Sequence, residues 1–279
     1  MVQVRKSSGV PDPHGLLELA VDLVRAGAEC VSSMREVAMS GVTTKSTPTD
    51  VVTTADRATE RLIIDRLLTV RPGDEVLGEE TGSHSSGVAA GADRVRWLLD
   101  PIDGTVNFLY GIPYYSVSLA AEVAGRVVAA AVRNPVSGEE WTAVAGQGAF
   151  RDGRRLSGSS VSTLSQTLLA TGFGYDPDRR AHQARVVAEL LDEVRDIRRI
   201  GAASLDLCMV ADGRIDAFYE KGLAPWDLAA GGLVAREAGV LVTGLAGAPA
   251  GTRMVLAAPT AIHQALHDRL LALDAAGGP

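Results

Sequence analysis

An α/β fold, built as an α+β layered sandwich, is predicted by three observations in this 279-residue chain. Two stretches near its start carry apolar residues at helical spacing. A later block is rich in β-formers and broken by tight turn signals, and beyond it strand-like and helix-like runs alternate. Leu16, Leu19, Ala20, Leu23 and Val24 define the first helix. The second runs from Thr54 through Ile63, Ile64, Leu67 and Leu68 until Pro72-Gly73 stops it. A short strand follows at Glu75 to Leu77, then a Gly/Ser/Ala-rich loop from Thr81 to Gly91, read as mobile, then a buried strand at Val95 to Leu99. Tyr115 to Val123, Val127 to Val132 and Glu140 to Ala145 are separated by Gly125-Arg126 and by Asn134-Pro135-Val136-Ser137-Gly138, the pattern of an antiparallel meander.

After Arg151 to Ser160 the reading is a strand near Leu168, a helix from Arg179 to Glu193, a strand near Ile197 and a helix from Ala203 to Ala211. Strand Ile215 to Tyr219, helix Leu228 to Ala238, strands near Leu241 and Val255, and a helix from Thr260 to Leu273 complete it. A soft boundary divides an α+β half, 1–155, from an alternating half, 156–279, with no Pro/Ser-rich linker, so one compact unit of two packed halves is expected.

Composition narrows the function classes. A hydrophobic content of 46% supplies a core and excludes a disordered chain, while 4% aromatics and 30 glycines mean a core of Ala, Val and Leu. The net charge of −7 and a pI near 5.3 argue against nucleic-acid binding through broad phosphate neutralisation. Cys30 and Cys208 lie far apart in apolar stretches, offering no disulfide framework and no CxxC motif. No apolar run reaches the ~18 residues of a membrane span, and a cytoplasmic protein is expected.

Trp97-Leu98-Leu99-Asp100-Pro101-Ile102-Asp103-Gly104-Thr105 is the most informative stretch: a strand that runs into two carboxylates, a glycine and a helix start. Pro101 fixes φ and lacks an N–H, so the strand is expected to turn there and bring Asp100 and Asp103 to one side as hard oxygen donors. Gly104 removes a Cβ, and a helix opening at Thr105 offers N–H groups to an anion. Gly78-Glu79-Glu80-Thr81 and Trp226-Asp227, the latter placed before a helix, set further acids at strand and helix ends. Each segment alone also reads as a turn or a helix cap, and so does Asp50-Val51-Val52-Thr53-Thr54-Ala55-Asp56.

In conjunction, D-x-V-T-x-x-D, G-E-E, W-x-x-D-P-I-D-G-T-x-N-F and W-D-x-A-A-G, in this order between about residues 45 and 240, resemble the inositol monophosphatase family of Mg2+-dependent, lithium-inhibited phosphatases. The resemblance implies an αβαβα architecture with an antiparallel-rich first sheet and a mixed second sheet. It implies metal ligands at Glu79, Asp100, the Ile102 carbonyl, Asp103 and Asp227, with two or three Mg2+ ions per site. Thr105 and Asp56 correspond to the pair that orients and deprotonates the attacking water, with Glu79 also in the catalytic set. The N–H groups of Gly104 and Thr105 correspond to a phosphate cradle, and Asp103, Ala203, Glu220 and Asp227 to polyol contacts, with the segments Phe218-Tyr219-Glu220 and Arg199-Ile200-Gly201-Ala202-Ala203 resembling those that meet the polyol. Glu80 is a neighbour only. Ala202 departs from relatives that carry a hydroxyl residue after the glycine, which leaves substrate preference open.

The activity so implied is hydrolysis of a small phosphomonoester, foremost inositol 1-phosphate, by a homodimer without nucleic-acid or membrane partners. Fructose 1,6-bisphosphate, a nucleotide 3′-phosphate or histidinol phosphate are the alternatives. A non-catalytic regulatory protein on the same fold is the rival of a different class. The acids Asp100 and Asp103 stand three apart, unlike the D-x-D-x-T motif of aspartyl-phosphate-forming phosphatases. His263 and His267 lack the Glu of a zinc-protease motif. Gly172-Phe173-Gly174 reads as a turn, and Arg195, Arg198 and Arg199 as a solvated basic edge.

Overall fold

A computed structural model describes residues 11–38, 43–44, 51–87 and 94–278. Asp12 caps helix α1 (Pro13–Ala38), its carboxylate accepting from the N–H groups of His14 and Gly15, and Pro13 occupies the first position, where a missing N–H costs nothing. Leu16, Ala20, Leu23, Val24, Ala28 and Val31 form its buried stripe. A two-stranded piece, β1 (Thr43–Thr44) with β2 (Val51–Val52), precedes α2 (Thr54–Val70). Asp50 lies outside the described residues.

The larger sheet has eight strands in the order β10-β9-β8-β7-β6-β5-β3-β4. They are β3 (Glu75–Gly78), β4 (Gly82–Ser85), β5 (Arg96–Asp103), β6 (Ser116–Val123), β7 (Arg126–Arg133), β8 (Glu140–Val144), β9 (Gly148–Arg151) and β10 (Arg154–Arg155). Only β3 and β5 pair in parallel, so this sheet is antiparallel-rich as expected. The smaller sheet runs β12-β11-β13-β15-β14, from β11 (Leu168–Thr171), β12 (Asp196–Arg198), β13 (Ala217–Glu220), β14 (Leu241–Thr243) and β15 (Val255–Ala258). It mixes parallel β12-β11-β13 with antiparallel β13-β15-β14.

Side-chain alternation stacks these sheets into five layers. Trp97 and Leu99 of β5 and Val117, Leu119 and Ala121 of β6 pack with α1 and α2, while Leu98 and Ala120 point the other way. That second face joins α5 (Ala203–Ala211), α6 (Pro225–Glu237), Phe218 of β13 and Val255 and Ala257 of β15 in one cluster. Ala217 and Tyr219, with Leu256 and Ala258, face outward onto α4 (Pro177–Leu190) and α7 (Thr260–Ala272). The order is αβαβα.

Three local expectations need correction. The Thr81–Gly91 segment is not all loop: Gly82–Ser85 pairs with β3 as an edge strand, and residues 88–93 lie outside the described residues. The strand at Val95 does not turn away at Pro101. It continues as β5 to Asp103, with a register shift against β6 between Asp100 and Asp103, and this bulge is where a residue without an N–H fits a ladder. Helix α6 starts at Pro225, so Asp227 lies inside its first turn and not before it. The tight pair of β9 and β10, over Gly148–Arg151 and Arg154–Arg155, also escaped the periodicity.

Candidate active site

A short helix, α3 (Thr105–Tyr110), follows β5 directly, and Gly104 at its cap has φ +93°, a left-handed conformation that a side chain would strain. A Cβ there would also lie 3.1 Å from the Tyr114 carbonyl oxygen and 3.2 Å from that of Gly201. Gly104 therefore serves the backbone turn between β5 and α3 as well as open access from the cavity.

That cavity, of about 360 Å³, opens where β3, β5 and β13 end and α3, α5 and α6 begin. Glu79, Asp100, Ile102, Asp103, Gly104, Thr105, Ala203, Glu220 and Asp227 all line it. Asp56 does not; it is fully buried behind Thr105. On α2, Thr53 caps the helix and Asp56 answers it, its Oδ2 accepting from the Thr53 N–H at 2.8 Å and hydroxyl at 2.6 Å. The capping reading of this segment thus holds, and the same carboxylate has a second oxygen turned to the site. The Thr105 hydroxyl lies 3.1 Å from Asp56 Oδ1 and 3.0 Å from the Ile102 carbonyl oxygen, and its single proton serves one acceptor at a time. Burial, only partly offset by the Thr53 hydrogen bonds, lifts the Asp56 carboxyl to about 6.

Asp103 is held across the sheets. Its Oδ1 accepts from the Ala203 N–H at 3.2 Å, and its Oδ2 from the Ser204 N–H at 2.7 Å and the Ser204 hydroxyl. Burial raises this carboxyl to about 6 against those donors. Ala203 thereby touches the cavity through its backbone. Asp227 reaches back to the Ala224 N–H at 2.7 Å, closing the first turn of α6, and Trp226 beside it is half-buried in the cavity wall. Asp100 accepts from the Ile102 N–H at 3.0 Å. Its pKa is pushed well above the usual carboxylate range by burial first, then by the charges of Glu79, Asp103 and Asp227, with a carboxyl-to-carboxyl hydrogen bond to Glu79 besides.

Carboxyl groups driven against one another in this way need a proton or a cation between them. All-oxygen donors with one backbone carbonyl beside them suit a hard divalent ion such as Mg2+, so these residues fit the group the sequence implies. Among the described residues, no three His, Cys, Asp or Glu side chains form a finished coordination shell. The acids stand as a wall facing one space.

The opposite wall is basic and aromatic, and of its residues the sequence pointed to the segment 199–203 but not to Phe173, Arg179 or Lys221. Arg199 is exposed, as the basic-edge reading has it, and also borders the cavity, its guanidinium 5.7 Å from the Phe173 ring centroid, and Arg179 and Lys221 line the same end. Lys221 Nζ donates to the carbonyls of Gly277 and Gly278 at 2.8 and 2.9 Å. Gly172, read only as a turn, packs against Glu220: a Cβ on it would sit 1.9 Å from Glu220 Oε2. Burial raises the Glu220 carboxyl well above its usual range, Asp206 and Asp227 add to this, and Arg199 opposes it. Asp206 itself accepts from the Tyr114 hydroxyl at 3.0 Å and is lifted by burial to about 8. His263 and His267 form no joint metal site: the first pairs with Thr243 at 2.9 Å and the second accepts from the Ala246 N–H at 3.1 Å.

The model of the inositol monophosphatase family matches residues 12–275. The chain belongs to the inositol monophosphatase family. Among members, the inositol-1-monophosphatase SuhB of Mycobacterium tuberculosis H37Rv is 51% identical over 224 residues, covering 78% of this chain and 77% of that protein. The Nus factor SuhB of Escherichia coli K12 is 39% identical over 236 residues, 84% and 86% of the two chains. The solved structure of the extragenic suppressor protein SuhB from Bartonella henselae superposes with a TM-score of 0.84 at 33% identity, covering 92% of this chain and 98% of that one. Membership of the inositol monophosphatase family supports phosphatase activity for the chain.

Proposed function

We propose that the chain is a Mg2+-dependent phosphomonoester hydrolase whose foremost substrate is inositol 1-phosphate, cleaved by direct in-line attack of water. The observation that carries this reading is the wall of Glu79, Asp100, Asp103 and Asp227 facing one cavity, with the Thr105–Asp56 pair at its floor. Bound divalent ions supply charge neutralisation and polarisation of the phosphoryl group, which a dianionic ester needs before any nucleophile approaches. Glu79, Asp100, Asp103, Asp227 and the Ile102 carbonyl are the residues to hold them, and the family resemblance extends to inhibition by lithium.

The protein's own groups do the rest. The Thr105 hydroxyl accepts a proton from water as it passes its own to Asp56, 3.1 Å away. The N–H groups of Gly104 and Thr105 hold phosphate oxygens. The Glu220 carboxylate accepts from substrate hydroxyls, and Ala203 and Asp227 border the same space. A homodimer is the expected assembly.

The basic end supports a second substrate reading. Arg199 and Arg179 suit a leaving group that carries a further anionic group, as in fructose 1,6-bisphosphate. The name Nus factor, carried by relatives 39% identical, supports a regulatory role beside or instead of catalysis. The test is phosphate release from inositol 1-phosphate, fructose 1,6-bisphosphate and histidinol phosphate, ranked by kcat/KM, in Mg2+ and in chelator. Inositol 1-phosphate is expected to lead, with Asp100→Asn losing about 100-fold or more. Turnover indifferent to both chelator and Asp100→Asn sinks the metal-dependent reading, and no turnover on any ester favours the regulatory one.

A further inference from the structure

Glu60 lies on α2 one turn beyond Asp56 and is fully buried, yet it does not line the cavity. Its carboxylate faces the turn that follows β3. Oε1 accepts from the N–H of Glu80 at 3.0 Å and of Thr81 at 3.4 Å, and Oε2 accepts from the Thr81 hydroxyl at 2.7 Å. Since that hydroxyl proton goes to Glu60, the Thr81 oxygen accepts in its 2.6 Å contact with His84 Nε2, and the imidazole donates. The approach is close enough that a Cβ on Gly78 would sit 1.9 Å from Glu60 Oε1. On its other side the turn is fixed by the Glu79 N–H, which donates to the Leu99 carbonyl at 3.2 Å, one residue before Asp100. The residue that brings the first carboxylate to the cavity is thus clamped between β5 and a buried acid on α2.

We infer that Glu60 is a positioning residue. It fixes the 79–81 turn so that Glu79 presents its carboxylate beside Asp100, and the affinity of the site for a divalent cation depends on it. Helix α2 then braces two walls at once, Thr105 through Asp56 and Glu79 through Glu60, whose side chains share a face because they are four residues apart. Gly78 is required with Glu60, because any side chain there displaces the carboxylate from the turn. Groups that orient metal ligands without touching the ion commonly change affinity by about 10- to 100-fold when removed.

The inference rests on the cation reading of the cavity, and the experiment separates the two. Mn2+ binding to the full chain is read from the EPR signal of the free ion in wild type, Glu60→Gln, Gly78→Ala and Thr81→Val, each checked by circular dichroism. Glu60→Gln and Gly78→Ala are expected to bind Mn2+ about 10-fold more weakly and to recover most of the wild-type kcat at saturating ion. A purely structural role would lower the melting temperature and leave the affinity of the folded fraction unchanged. Thr81→Val, which removes one of the three bonds, shifts the affinity in the same direction by less. Folded Glu60→Gln and Gly78→Ala with wild-type Mn2+ affinity overturn the positioning role while leaving the cation site standing. If neither folds, unchanged affinity in Thr81→Val overturns it. A wild type that binds no Mn2+ overturns the cation reading and this inference with it.

Discussion

A methyl group at position 172 would occupy the space that the Glu220 carboxylate fills, 1.9 Å from its Oε2. The obstacle is the tip of a flexible side chain, so Gly172→Ala relocates the carboxylate and leaves the fold in place. The expected result is a several-fold rise in KM for the polyol phosphate, with less than about 1 kcal/mol of stability lost in a denaturant titration. A KM equal to wild type would mean that Glu220 does not touch substrate. Residues of this kind were poorly legible in the sequence. Gly172 belongs to no polar cluster along the chain, and Arg199 sits in a basic run with Arg195 and Arg198 that by itself points to solvent; the fold brings both to the cavity. Glu60 left a trace, an acid four residues after Asp56 on a helix face otherwise filled by Ile63, Ile64 and Leu67.

At the scale of elements, the acids of β5 have opposite mechanical roles. Asp103 ties the end of the larger sheet to the N–H groups that open α5, whereas Asp100 meets mainly other acids. Asp103→Ala leaves buried donors on Ala203 and Ser204 without an acceptor and should cost about 1–3 kcal/mol. Asp100→Asn can keep the bond from the Ile102 N–H while shedding the repulsion, so in chelator at pH 8 it should raise the melting temperature of a protein that no longer turns over. Equal destabilisation by both would show that the two carboxylates are held alike. The sequence made this motif visible and misjudged its backbone. Pro101 reads as a strand end because proline breaks a ladder, and what accommodates it is a bulge against β6, a tertiary pairing that no local pattern encodes. The N-terminal bounds of α6 were missed for a related reason: Pro225 reads as a breaker but is tolerated at a first helical position.

For the whole molecule, the helices and the meander were legible because their apolar periods are long and clear, and the layer order followed from the family resemblance. The cost of the site is spread over the molecule as buried acid. Asp56 and Asp103, raised to about 6, and Asp206, raised to about 8, bind protons more tightly when folded than their ordinary value of 3.8 implies. Stability from these groups is therefore full below about pH 4 and is lost as pH climbs through 6 and then 8. Among the described residues no helix is long and apolar enough to cross a membrane. The metal-free protein should melt several degrees lower at pH 8.5 than at pH 5.5, and Mg2+ should shrink that gap; a gap that stays the same with Mg2+ would disconnect the acids from the ion. Trp226 adds a practical asset. The other two indoles, Trp97 and Trp141, are sealed in the core, and only this one borders the cleft beside Asp227. Arrival of ligand there changes the surroundings of a single emitter out of three, so the chain carries its own label-free optical gauge of occupancy against a constant internal reference.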